Sequence, residues 1–83
     1  MSPKAKYKKK LTKKYTKEVY EAIETYCNAT DSRLVINDYI EAQYVLGLQF
    51  DELFFDAIKT LDKEFKIEHR VNKLGQIELL VMF

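Results

Sequence analysis

Residues 66–83 read Lys66-Ile67-Glu68-His69-Arg70-Val71-Asn72-Lys73-Leu74-Gly75-Gln76-Ile77-Glu78-Leu79-Leu80-Val81-Met82-Phe83, and their period decides the fold. Ile67, His69 and Val71 alternate with Lys66, Glu68 and Arg70. After the interruption, Ile77, Leu79, Val81 and Phe83 alternate with Gln76, Glu78, Leu80 and Met82. A period of two places one set of side chains on each face of a sheet. Asn72-Lys73-Leu74-Gly75 has turn formers at both ends, so the stretch predicts a β-hairpin.

Upstream the period is helical. Phe54, Ala57, Ile58, Leu61 and Phe65 form one apolar stripe, predicting a helix over about 52–65. Asp51 is the expected cap, and Phe50 and Phe55 are spaced to close a hydrophobic staple over it. Before it, Gly47 marks the left-handed stop of a short helix that begins after Asn37 or Asp38, either of which can cap it. Tyr39, Ile40, Ala42, Tyr44 and Leu46 nearly encircle this second helix, so it is expected to be substantially buried. Arg33-Leu34-Val35-Ile36 suits a brief strand. Leu11, Tyr15, Val19, Ala22, Ile23, Tyr26 and Cys27 recur at three- and four-residue steps and predict a first helix over roughly 13–28, ended by Thr30-Asp31-Ser32. Residues 1–12 read as a flexible basic arm, because Pro3 discourages helix before it and five lysines from Lys4 to Lys10 repel one another. The expectation is therefore an α+β chain: an arm over 1–12, then one domain over 13–83 with three helices, a short strand and a C-terminal hairpin.

This order resembles the winged helix-turn-helix superfamily, in which the short strand joins the hairpin as a three-stranded sheet. The resemblance lies in element order and spacing: Ile40 to Leu46, the Gly47-Leu48 turn, the helix carrying Phe54, Leu61 and Phe65, then the Lys66–Phe83 hairpin. It implies a third helix that enters the major groove of DNA. A plain α+β domain with the helices packed differently on the hairpin suits the same residues.

Length and composition bound the function. Eighty-three residues make one domain, 47% of them hydrophobic and 13% aromatic, which is the composition of a folded chain. One Cys cannot form an internal disulfide, which fits a reducing compartment. No apolar run approaches the roughly 20 residues that cross a bilayer. The basic N-terminus is not followed by the apolar segment of a signal peptide, so an intracellular or intraviral setting is expected, and Asn28-Ala29-Thr30 reads as a chance glycosylation triplet.

No residue constellation points to a reaction. His69 and Cys27 are the single histidine and cysteine, far apart, whereas zinc wants about four N or S ligands at tight spacing. Cys27 reads as core packing, and His69 as a partly buried sheet residue. Asp51, Glu52, Asp56, Asp62 and Glu64 read as helix design, the first two favoured by the helix dipole and the rest interleaved with Lys59, Lys63 and Lys66 on a solvated face. Gly47 and Gly75 stand alone, so no phosphate-cradling loop is present. The expectation is a non-enzyme without cofactor or metal.

Charge is the one feature that speaks of a partner. Lys4, Lys6, Lys8, Lys9, Lys10, Lys13, Lys14 and Lys17 give the first seventeen residues a net +8 with no acid, and residues 18–83 carry six bases against thirteen acids, net −7. A basic segment of this kind attracts phosphate. The first reading is a nucleic-acid-binding protein, DNA or RNA, that uses the arm, with Arg70 and Lys73 assisting at the wing and with weak sequence specificity. The third helix is itself acidic and lacks the Arg, Asn and Gln residues that commonly read base edges. Tyr7 and Tyr15 lie among the lysines and suit stacking on bases, although Tyr15 also suits the core. The alternative is a protein–protein interaction module or a subunit of a larger assembly. Leu80 and Met82 point away from the inward residues of the last strand, so helix one, a crossing helix or a second chain is expected to cover them, by homodimerisation or docking. A membrane-surface helix is disfavoured, because the lysines surround helix one rather than lining one side.

Overall fold

A computed structural model describes the backbone of residues 3–49 and 51–82, and the side chains of 13–49 and 51–82. The elements run α1 (Pro3–Thr30), β1 (Leu34–Ile36), α2 (Tyr39–Leu46), α3 (Phe54–Lys63), β2 (Ile67–Val71) and β3 (Ile77–Val81). The strands form one antiparallel sheet in the order β1-β3-β2, so the short strand joins the hairpin across its last strand. Leu34 pairs with Leu79, Ile67 with Val81 and Val71 with Ile77. Three helices and a three-stranded sheet of this order are an α+β architecture compatible with a winged-helix-like domain.

The first helix corrects the expected boundary. Residues 3–12, expected as an arm ahead of a helix from 13, are helical from Pro3, and α1 continues to Thr30. Lysine is a good helix former, proline fits the first turn, and residues 4–10 hold no glycine or β-branched residue. Once packing has fixed the later turns, adding earlier ones needs no new nucleus, and Lys–Lys repulsion of about 0.2–0.5 kcal/mol per pair is too small to stop it. The helix ends where Asp31 turns left-handed at φ 53. There the Thr30 hydroxyl donates to the Tyr26 carbonyl at 2.9 Å.

Helix α2 has the expected ends. Asp38 Oδ1 accepts from the Glu41 amide at 2.7 Å, and Glu41 Oε2 accepts from the Asn37 amide at 3.0 Å. Gly47 sits at φ 70, with its amide on Tyr44 O at 3.1 Å and the Leu48 amide on Gln43 O at 2.9 Å, which is a Schellman stop. The expected burial of α2 is wrong on one side: Ile40 is 64% and Tyr44 86% exposed. Eight residues that are apolar nearly all round have only one side against the domain, where Ala42 and Gln43 are buried.

Helix α3 buries Phe54, Ala57, Ile58 and Leu61, but two details differ from the sequence reading. Its N-cap is Leu53, with no side-chain cap; Asp51 instead closes the preceding turn, accepting the Leu53 amide on Oδ1 at 2.7 Å. Phe50, the other half of the expected staple, lies outside the described residues. Phe65 leaves the core stripe and is 81% exposed. It occupies the left-handed position at φ 60, and the Lys66 amide reaches Leu61 O at 2.9 Å, so a Schellman-type stop places phenylalanine where glycine is usual.

These two stops predict opposite effects. Gly47→Ala meets no atom within 4 Å, so it costs only the left-handed penalty of about 1–2 kcal/mol. Phe65→Gly relieves that penalty, less the extra chain entropy of glycine, and is expected to gain about 0.5–1 kcal/mol. Thermal unfolding of the two variants checks both signs.

The core joins Val19, Ile23 and Cys27 of α1 to the inner face of the sheet and to α3. Cys27 is buried, with Sγ 4.0 Å from Leu79 O, as packing requires. Val71, read as an inward residue, is 62% exposed because it ends β2 beside the turn. Buried Gln43 ties the helices together: its Oε1 accepts from the Asp51 amide at 2.7 Å and from the Tyr15 hydroxyl at 3.5 Å, and its Nε2 donates to Tyr39 O at 3.3 Å.

Candidate nucleic-acid interface

All eight lysines of the basic segment lie on α1. Lys4, Lys6, Lys8, Lys9 and Lys10 fall where only the helix backbone is described, as does Tyr7. Lys13, Lys14 and Lys17 are exposed, and among the described residues none of the three joins an ion pair. Tyr15, one of the two tyrosines suited to stacking, packs on the core. Burial raises its hydroxyl to about 12, with Asp51 and Glu18 adding to the shift.

The outer face of the sheet disposes of the two hairpin residues differently. Lys73 is exposed in the turn, which Asn72 organises by accepting the Leu74 and Gln76 amides on Oδ1 at 2.9 and 3.0 Å. Arg70 is tied down: its Nε donates to Glu78 Oε1 at 2.8 Å, and its guanidinium lies 3.4 Å from Glu68. Arg33 reaches the same two carboxylates, at 3.0 Å to Glu78 and 3.5 Å to Glu68. To bind phosphate Arg70 would have to give up its contacts with these carboxylates, whereas Lys13, Lys14 and Lys17 have no ion pair to break among the described residues.

The same network accounts for Leu80. Glu68 on β2 pairs with Leu80 of the central strand, and Arg33 precedes the Leu34 that pairs with Leu79. The Arg33–Glu68 bridge therefore spans the central strand at Leu80, and the stems of the two side chains shield it. Leu80 is half-buried by its own chain, whereas Met82 is 47% exposed. The expected cover by a helix or a second chain is met at Leu80 by a charged pair.

Glu78 is the hub of this network. The Asn72 amide on Oε2 at 2.9 Å and then the Arg70 and Arg33 guanidinium groups hold its carboxyl at about 2, below the ordinary glutamate range. A carboxylate whose folded value is depressed contributes stability that is complete above its unfolded value, about 4.3. That contribution is lost as pH falls from there through about 2. Urea midpoints measured across this window should fall less steeply in Glu78→Gln than in the parent. An unchanged slope would remove Glu78 from the account of acid stability.

His69 lies on the inner face, as expected, where its Nε2 and the Tyr39 hydroxyl share a hydrogen bond of 2.9 Å. Tyr39 stacks edge-on against Phe55 at 5.0 Å, and Lys59 Nζ stands 4.9 Å from the centre of the Phe55 ring. The exposed side of α3 is thus occupied by Phe55, by Lys59 3.9 Å from Asp56, and by Asp62, with Glu52 in the turn before it; neither Glu52 nor Asp62 has an ion-pair partner among the described residues.

One groove, of about 610 Å³, runs between α1 and the end of α3. Lys13, Lys17, Tyr20 and Glu24 line it from α1, Thr60 and Glu64 from α3, and Lys66 follows. Lys66 is paired with Glu64 at 3.4 Å. Sequence reading missed this groove because its walls are far apart in the chain. The missed signal is the spacing of residues 13, 17, 20 and 24, which sets them on one side of a helix.

No helix among the described residues is long and apolar enough to cross a membrane. Comparison of the chain with family models, curated proteins and solved structures finds no match.

Proposed function

We propose that this chain is a non-enzymatic nucleic-acid-binding protein whose contact surface is the basic half of α1, on a scaffold of the winged helix-turn-helix type. One observation carries the reading: eight lysines, with no acid among residues 3–17, lie on the first half of a single helix, and Lys13, Lys14 and Lys17 are exposed and have no ion-pair partner among the described residues. Residues 18–83 carry a net −7, and α3 balances Asp56 and Asp62 with Lys59 and Lys63, with Glu52 just before it, so it offers DNA no net positive charge. Lysine contacts to phosphate position a strand without reading it, and sequence preference should be weak. Lys73 at the hairpin turn is free to add one contact. An intracellular setting suits the single reduced cysteine.

The test is binding of the whole chain to a mixed-sequence duplex and single strand at two salt concentrations. Binding at low salt that falls steeply with added salt is the expected result. Its absence at low salt would remove this function and leave the second reading, a protein–protein interaction module or assembly subunit. That reading draws on the exposed apolar side of α2, where Ile40 and Tyr44 lie uncovered.

A further inference from the structure

We infer that the groove between α1 and α3 is a nucleotide site, which takes one unit of a single strand and favours bases that carry an exocyclic amino group. The inference rests on the nucleic-acid reading and adds what that reading lacks, a place for the base. Along the groove side of α1 the residues change in a fixed order: the ammonium groups of Lys13 and Lys17, the ring of Tyr20, then the carboxylates of Glu21 and Glu24. Lys17 and Glu24 are about 10 Å apart along the helix axis at 1.5 Å per residue. That is the scale of one nucleotide laid along the helix, with phosphate toward the lysines, ring against tyrosine and base edge toward the glutamates.

Each part of the order has a chemical counterpart. Phosphate takes the two lysines, which have no ion-pair partner of their own among the described residues. Any base stacks on an aromatic face, so Tyr20 supplies affinity without selecting. Carboxylates only accept hydrogen bonds, so Glu21 and Glu24 favour the amino donors of cytosine, adenine or guanine over thymine, whose pairing edge holds one N–H between two carbonyls. Glu24 is half-buried on the groove wall, and neither glutamate joins an ion pair among the described residues. Lys17 and Glu21 stand one turn apart and still do not close on one another. A groove of about 610 Å³ has the volume of a small-molecule site. A stacked duplex does not fit between two packed helices, so the unit must come from a single strand or a free nucleotide.

The test titrates the full chain with oligodeoxycytidylate, oligothymidylate, a duplex of mixed sequence and free cytidine monophosphate, for the parent, Glu24→Gln and Tyr20→Leu. Glutamine keeps the size of Glu24, and leucine keeps the apolar packing of Tyr20, with circular dichroism checking both folds. Oligodeoxycytidylate is expected to bind about tenfold tighter than oligothymidylate. That preference should collapse in Glu24→Gln, and affinity for both strands should fall in Tyr20→Leu. Equal binding of the two strands, unchanged in both variants, overturns the nucleotide site and leaves the lysine surface standing. Binding of cytidine monophosphate that depends on Glu24, with no strand bound, overturns the nucleic-acid reading and keeps the site for a free nucleotide. No binding of any probe at low salt overturns both.

Discussion

Replacing Lys4, Lys6, Lys8, Lys9, Lys10, Lys13, Lys14 and Lys17 together by glutamine is expected to abolish nearly all salt-dependent nucleic-acid binding while leaving the fold intact. A surface that neutralises five phosphates releases their counterions, and the logarithm of the association constant then falls with the logarithm of salt at a slope of about −4.5 for duplex. A fourfold rise in salt, from about 50 to 200 mM, would cost the parent about 500-fold in affinity by the same relation. The variant should show a slope close to zero and bind no better at low salt than the parent does at high salt. Glutamine is nearly as good a helix former as lysine, so the change removes charge and leaves α1 in place. Fluorescence anisotropy over a salt series reads the slope, and far-ultraviolet circular dichroism confirms the helix. A slope unchanged in the variant would show that the contacts lie elsewhere on the chain.

The largest effect on stability is expected at Phe54. It is 1% exposed, the largest of the fully buried side chains, and meets Tyr39 edge-on at 6.3 Å. Phe54→Ala removes its buried surface and leaves a cavity that α1 and the sheet cannot close, at a cost of about 3–5 kcal/mol. A domain of this length has a total stability of about 4–12 kcal/mol, so one substitution uses a large share of it. Urea unfolding should show a midpoint far below that of the parent, or no cooperative transition at all. A loss under about 1 kcal/mol would mean that the core collapses around the gap and that α3 is held by other contacts.

The parts of the fold written in local periods were legible. The α3 stripe of Phe54, Ala57, Ile58 and Leu61, the alternation of the hairpin and the Asp38 and Gly47 ends of α2 each follow from residues a few positions apart. Features set by competition or by distant pairing were not. The start of α1 depended on helix elongation outweighing lysine repulsion, and the repulsion looked decisive from composition alone. Phe65 continued the apolar spacing, yet it is the left-handed stop that ends the helix. On α2 the apolar residues gave no direction, so only the packed fold separates buried Ala42 from exposed Ile40.

The candidate site divides the same way. The lysines were legible as a charge run, and Lys73 as a turn residue. Arg70 was expected to assist at the wing, and its pairing was not legible because its partners are set by the strand order β1-β3-β2, which brings Arg33, Glu68, Arg70 and Glu78 together across one face. The same strand order sets an ion pair beside Leu80, for which helix one, a crossing helix or a second chain was the expected cover. Gln43 gave no signal as a buried hub. The groove between α1 and α3 became visible only once the two helices were placed side by side.

The central claim is that the strand meets the basic half of α1 and the groove beside it, and not the outward side of α3 that carries Asp56 and Lys59. Amide chemical shifts recorded as a short single strand is added to the isotope-labelled chain test it directly. The account predicts shifts concentrated in the basic half of α1 and along the groove at Lys13, Lys17, Tyr20 and Thr60, with the exposed side of α3 at Phe55, Asp56 and Lys59 unmoved. Shifts centred on that side of α3 and on the hairpin turn, with α1 unchanged, would contradict it.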